Sequence, residues 1–222
     1  MVKKIIYDEM PICTKEILRY TGAKGVDKNI ENMLNSAVDE ARTVLKYTLC
    51  YDEFSVNIVD NICDFSAFKI KSKSLSKNLS GCNRAIVFGA TVGSGIDRLI
   101  TKYGALSPSK ALVLQSFGAE RIEALCDKFC SDLAIKLNRT LKPRFSPGYG
   151  DVPLDTQSDI FRVLDLPKHI GLCLNDSLLM SPSKSVTAIV GITEDDYIDI
   201  QKVNKCKNCT KGDCEFRSRN DF

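Results

Sequence analysis

The chain has 222 residues, with 31 Lys and Arg against 28 Asp and Glu for a formal net charge of +3. Its basic residues are spread rather than massed, so the electrostatic footprint of a nucleic-acid binder is missing, and no apolar run approaches the roughly 18 residues of a membrane span. This length can bury a sizeable core and no long Pro/Gly/Ser linker divides it, which predicts one domain over residues 1–200 followed by a Cys-rich tail over 201–222.

Residues 14–20 read as a short helix capped by Thr14 and stopped at Gly22. A longer helix is predicted over 27–47, with Asp27 as its N-cap and Ile30, Leu34, Val38, Ala41 and Leu45 at three- and four-residue spacing. Alternating and β-branched residues over 53–59 and 65–70 read as two strands, a hairpin around Asp60 and Asn61. Residues 74–79 look helical, 85–90 form a short continuous apolar strand, and 96–103 read as a helix ending at Gly104. The longest helix runs over about 107–138, started by Ser107 and Pro108, with Gly118 inside it marking close packing or a bend. Residues 158–164 suggest a short helix, and 170–174 and 186–192 two strands. Strands interrupted irregularly by helices predict an α+β fold with a mixed, mainly antiparallel sheet flanked by helices.

The most informative stretch is Arg144, Phe145, Ser146, Pro147, Gly148 and Tyr149. Pro147 restricts its own φ and pushes Ser146 toward extended geometry, while Gly148 can take backbone angles closed to other residues and lets a ligand approach the main chain. A guanidinium can hold a carboxylate by two parallel hydrogen bonds, and a phenol can stack on what the carboxylate belongs to. A fixed cation, a rigid turn and an aromatic ring suit a small zwitterionic ligand; the alternative is a Pro-Gly turn beside a solvated Arg.

That motif resembles the S-adenosylmethionine-binding motif in the activation domain of cobalamin-dependent methionine synthase. The likeness continues in residues 170–186, reading IGLCLNDSLLMSPSKSV, where a Ser precedes Met-x-Pro and a Ser-Val strand follows. Residues 74–82 (SLSKNLSGC) and 90–98 (ATVGSGIDR) are similar to the free-standing bacterial form. The resemblance implies that Arg144, Tyr149, Gly148 and the backbone of Ser146 hold the carboxylate and amino group of S-adenosylmethionine. It also implies an acidic residue from the preceding helix, Glu123 with Glu120 as the alternative, and a later aromatic, Tyr197. Two departures stand out: residues 150–156 (GDVPLDT) replace a Pro-, Cys- and His-bearing segment, and Ser181 stands where the family often has Trp.

The function so implied is reductive reactivation of a cobalamin-dependent methionine synthase whose cobalamin module lies on another chain. The domain presents the methyl of S-adenosylmethionine to cobalt, with a flavodoxin- or ferredoxin-like donor supplying one electron. Such a protein is an accessory methyltransferase component with no general base of its own, since its work is positioning.

Ten cysteines in a chain whose first residues lack the apolar core of a signal peptide are expected to be thiols or ligands in the cytoplasm. Cys126 and Cys130, one helical turn apart, are expected in the core. Cys206, Cys209 and Cys214 have C-x2-C-x4-C spacing, which lets three sulfurs face one metal, with Cys82, Cys173 or His169 as a fourth ligand. Zinc and an iron–sulfur cluster both fit thiolates. Two other functions therefore stand beside the first: an iron–sulfur electron-transfer activator of another corrinoid protein, and a non-catalytic adaptor with structural zinc. The run from Gly89 to Gly95 lacks the Lys-Ser/Thr of a phosphate-binding loop and reads as a tight turn with Ser94 as N-cap, and the lone His169 as a satisfied structural residue.

Overall fold

A computed structural model describes residues 1–22 and 28–197. In chain order the elements are β1 (Lys3–Tyr7), α1 (Thr14–Thr21), α2 (Lys28–Arg42), β2 (Tyr47–Ser55), β3 (Asn57–Val59), β4 (Ile62–Asp64), β5 (Lys69–Lys71), α3 (Lys73–Asn78) and β6 (Arg84–Thr91). They continue with α4 (Gly95–Leu106), α5 (Pro108–Leu137), β7 (Arg139–Leu141), α6 (Thr156–Leu164), α7 (Leu166–Ile170), β8 (Cys173–Leu174), β9 (Met180–Ser181) and β10 (Ser185–Asp196). The main sheet has the order β1-β2-β6-β10-β7 with every neighbouring pair antiparallel. This is the α+β class expected.

Both faces of that sheet are covered, which explains the unbroken apolar run of β6. Ile86, Phe88 and Ala90 point into one core with Leu49, Tyr51, Ala188 and Val190, under α1, α2, α4 and α5. Ala85 and Val87 point the other way, into a second core with Cys50, Ile189, Leu75, Ile160 and Leu166. Alternate residues thus serve opposite cores, as the two-residue period of a strand requires. Two glycines keep the second face thin. A Cβ on Gly89 would lie 2.6 Å from Leu166, and one on Gly191 would lie 2.8 Å from both Leu79 and Cys82.

The long helix α5 is the spine of the first core. Pro108 occupies its first turn, where the missing N–H costs no hydrogen bond, and Asn138 ends it in the left-handed conformation. Phe129 puts its ring 5.0 Å from Phe88 and 5.1 Å from Tyr51 across the helix–sheet interface. Gly118 is a close approach, since an added Cβ would meet Ile96 of α4 and Lys184 at 3.0 Å. Cys126 is fully buried and Cys130 half-buried.

Several boundaries differ from those predicted. The N-cap of α1 is Cys13, whose carbonyl accepts from Glu16 and Ile17, rather than Thr14; Gly22 ends the helix with φ 69° as expected. Helix α2 stops at Arg42, leaving Leu45 to pack from the connection, and Asp27 lies outside the described residues. The strand predicted over 53–59 is divided: β2 begins at Tyr47, extended by pairing with both β1 and β6, and ends at Ser55, and 57–59 form β3 in a separate three-stranded sheet. Asp60 and Asn61 do make the hairpin turn, with φ of 50° and 62°, but the returning strand is β4 rather than 65–70. Helix α4 runs through Gly104 to Leu106. Helix α7, with Pro167 in its first turn and Gly171 as left-handed cap, occupies the start of the strand predicted over 170–174. Strands β1, β4, β7 and β9 have no counterpart among the strands expected from the sequence.

Candidate functional site

Beyond β7 the chain makes one more rung against β10. The Phe145 N–H donates to the Ile189 carbonyl at 2.9 Å and the Ile189 N–H returns to Phe145 at 2.8 Å. Extended backbone sends adjacent side chains to opposite faces. Phe145 therefore enters the second core and Arg144 reaches toward α5.

There Arg144 Nη2 meets two carboxylates one helical turn apart, Glu123 Oε2 at 2.7 Å and Asp127 Oδ1 at 3.1 Å. Its other terminal nitrogen, Nη1, is buried without a hydrogen-bond partner. A cation with one nitrogen shared by two anions and the other unmatched is an unsaturated donor. Cys126 lies beneath this cluster, and burial pushes its thiol up, keeping it neutral. Tyr20, near the end of α1, also borders Glu123; burial raises its phenol and Arg19 stacks on its ring with its guanidinium 4.5 Å from the centroid.

Glu120 has a different task. Buried, it accepts from the Cys13 N–H at 3.1 Å and pairs with the fully buried Arg121, whose guanidinium donates to the carbonyls of Met10 and Pro11 at 2.7 Å. Of the two carboxylates considered from sequence, Glu123 is the one that meets Arg144. Asp127 went unnoticed, though its signal was present as the residue four positions on from Glu123.

The turn after Arg144 is built as its residues suggest. The Tyr149 N–H donates to the Ser146 carbonyl at 3.1 Å across Pro147 and Gly148, whose φ of 79° makes this a type II turn. Gly148 and Tyr149 then pair with Val152 at 3.0 and 3.1 Å. Asp151 fastens the loop to α3, accepting from the Ser72 hydroxyl at 2.5 Å and from the N–H groups of Lys73 and Ser74 at 2.8 and 3.1 Å. Those donors, the Ser72 hydroxyl first, hold its carboxyl well below the usual range. Tyr149 is 68% exposed and rests edge-on against Phe145 with ring centroids 5.3 Å apart, so Arg144 and Tyr149 lean on different supports. Ser146 is half-buried and Gly148 exposed. Tyr197 follows β10 half-buried, and its neighbour Asp196 is fixed to Arg139 at 2.7 Å.

The remaining candidates are dispersed. Ser94 stands at the N-cap position of α4, but its hydroxyl accepts from Arg98 at 2.9 Å instead of from the backbone. Gly95 is required, since a Cβ there would lie 2.3 Å from the Val44 carbonyl. Asp97 holds the turn after Met180 by accepting from the Ser183 N–H at 2.8 Å and hydroxyl at 2.6 Å. Cys206, Cys209 and Cys214 lie outside the described residues. Of their suggested fourth partners, Cys82 is buried against Gly191, Cys173 is exposed, and His169 sits half-buried on α7 rather than beside a strand. Among the described residues no group of three or more His, Cys, Asp or Glu could hold a metal ion, and no helix is long and apolar enough to cross a membrane.

Comparison with solved structures aligns 89% of this chain with 80% of the MetH reactivation domain bound to AdoHcy, at a TM-score of 0.61 and 16% identity. The chain shares the fold of that domain. No family model and no curated protein sequence matches it. The likeness to the MetH reactivation domain is one of fold, at low sequence identity.

Proposed function

We propose that the chain binds S-adenosylmethionine at Arg144 and acts as a reactivation module for a cobalamin-dependent methionine synthase. The observation that carries this reading is the buried, unpartnered Nη1 of Arg144 beside Glu123 and Asp127, in a fold shared with a domain that binds AdoHcy. An α-amino acid head group carries one carboxylate and one ammonium. The guanidinium suits the first and the two acidic side chains suit the second. The exposed ring of Tyr149, on a turn pinned by Asp151, offers an apolar face to the rest of the ligand, with Ser146 and Gly148 supplying close backbone.

S-adenosylmethionine supplies an electrophilic sulfonium methyl for transfer to the cobalamin of the partner module, with one electron from a flavodoxin- or ferredoxin-like donor. This chain's residues would bind the amino acid end, orient the sulfonium and exclude water. That needs clamps rather than a general base. Cys206, Cys209 and Cys214 would add a metal site, zinc or iron–sulfur, to the same polypeptide.

Calorimetric titration of the oxygen-free chain with S-adenosylmethionine tests the clamp. Arg144→Ala is expected to weaken binding by about 2 to 4 kcal/mol, since the ligand carboxylate loses a charge-assisted pair. Unchanged affinity would overturn this reading.

A further inference from the structure

We infer that Asp127, acting with Glu123, sets the charge specificity of this site, selecting the positively charged sulfonium of S-adenosylmethionine over the neutral thioether of S-adenosylhomocysteine. The inference rests on the S-adenosylmethionine reading above and asks why Arg144 faces two carboxylates when one would pair it. Glu123 and Asp127 both reach the same nitrogen, Nη2, while Nη1 has no partner. The cluster therefore carries one negative charge in excess, and the buried Cys126 thiol beneath it, pushed up by burial, adds none.

Charge balance then depends on the ligand. The head group brings a carboxylate and an ammonium, which cancel, so S-adenosylhomocysteine leaves the excess in place. S-adenosylmethionine neutralises it. Distance permits the effect: the sulfur is three bonds from Cα, so an acidic group on the ammonium lies about 5 to 7 Å from the sulfonium. Asp127 is 70% exposed and Glu123 48%, against 23% for Arg144. Such exposure leaves both acids free to turn from Arg144 to the ligand when its carboxylate takes the guanidinium. It also limits the strength of the attraction, since solvent screens it.

The test is titration of the full chain with S-adenosylmethionine and with S-adenosylhomocysteine, comparing wild type, Asp127→Asn, Asp127→Glu and Arg144→Ala. Asp127→Asn should lower the preference for S-adenosylmethionine by about 3- to 10-fold, mainly by weakening that ligand. Asp127→Glu should restore the preference, and added salt should narrow it in wild type but not in Asp127→Asn. A ratio of affinities unchanged in Asp127→Asn, with both ligands still lost in Arg144→Ala, overturns the inference while leaving the binding site standing. Failure of wild type to bind either ligand, or equal binding by Arg144→Ala, removes the site and the inference with it.

Discussion

Helix α5 contributes to two arginine–carboxylate clusters of opposite design. At Glu120 and Arg121 both groups are buried and each of the three guanidinium nitrogens has a target: Arg121 reaches the carbonyls of Met10 and Pro11 as well as Glu120, and Glu120 takes the Cys13 N–H. At Arg144 the charges are partly exposed, the carboxylates outnumber the cation, and a buried nitrogen is unmatched. In the first cluster every guanidinium nitrogen is engaged, which ties the segment before α1 to the spine of the fold. The second leaves donor capacity unused, which is the feature the proposed ligand carboxylate would take up.

The sharpest way to break this comparison is to truncate each arginine. Arg121→Ala leaves Glu120 as an uncompensated buried charge and frees two carbonyls, so a stability loss of about 3 to 5 kcal/mol in urea unfolding is expected. Arg144→Ala removes a partly exposed pair and should cost stability about 1 kcal/mol or less, while abolishing most ligand affinity. Equal stability losses in the two variants would erase the distinction.

How far the sequence revealed these features depends on whether their causes are local. Helix α5 was readable at its start because Pro108 acts within one turn, and Gly118 was readable as a close approach or a bend. Strand β6 was readable from its apolar run, but not that two cores divide its side chains alternately. Strands β1 and β7 carry Lys3, Lys4 and Arg139 and are held by β2 and β10, distant partners that no local pattern announces. Helix α7 was hidden because Ile170, Leu172 and Leu174 alternate like a strand, although Pro167 and Gly171 mark a helix start and stop. At the site, the turn geometry followed from Pro147 and Gly148. Choosing between Glu120 and Glu123 required knowing that Arg121 turns inward, since buried arginines are rare enough that sequence argues against one.

A smaller effect sharpens the role of the Tyr149 turn. Tyr149→Ala removes a ring that is mostly exposed, so unfolding should move by about 0.5 kcal/mol or less, whereas S-adenosylmethionine affinity should fall by about 1 to 1.5 kcal/mol if the ring stacks on the ligand. Loss of stability without loss of affinity would make Tyr149 a cover for Phe145 rather than a contact.

The subtlest expectation concerns Asp151, which links the turn to α3 and can be separated from the arginines by pH. Its folded carboxyl is held below the ordinary value of about 3.9, because ionised Asp151 is the better acceptor for Ser72, Lys73 and Ser74. A depressed pKa favours the folded state wherever the unfolded carboxyl is also ionised, so the contribution is complete above about pH 5 and fades as pH falls through the unfolded value toward the folded one. Asp151→Ala should therefore be less stable than wild type near neutrality, with the gap constant down to about pH 5 and closing below it. In the same variant the turn at Gly148 loses its tether, and exchange of the Gly148 and Val152 amides should quicken while those of α5 stay protected. A gap that persists undiminished into strong acid would mean the loop is held by packing around Phe145, and that the hydrogen bonds to α3 merely accompany it.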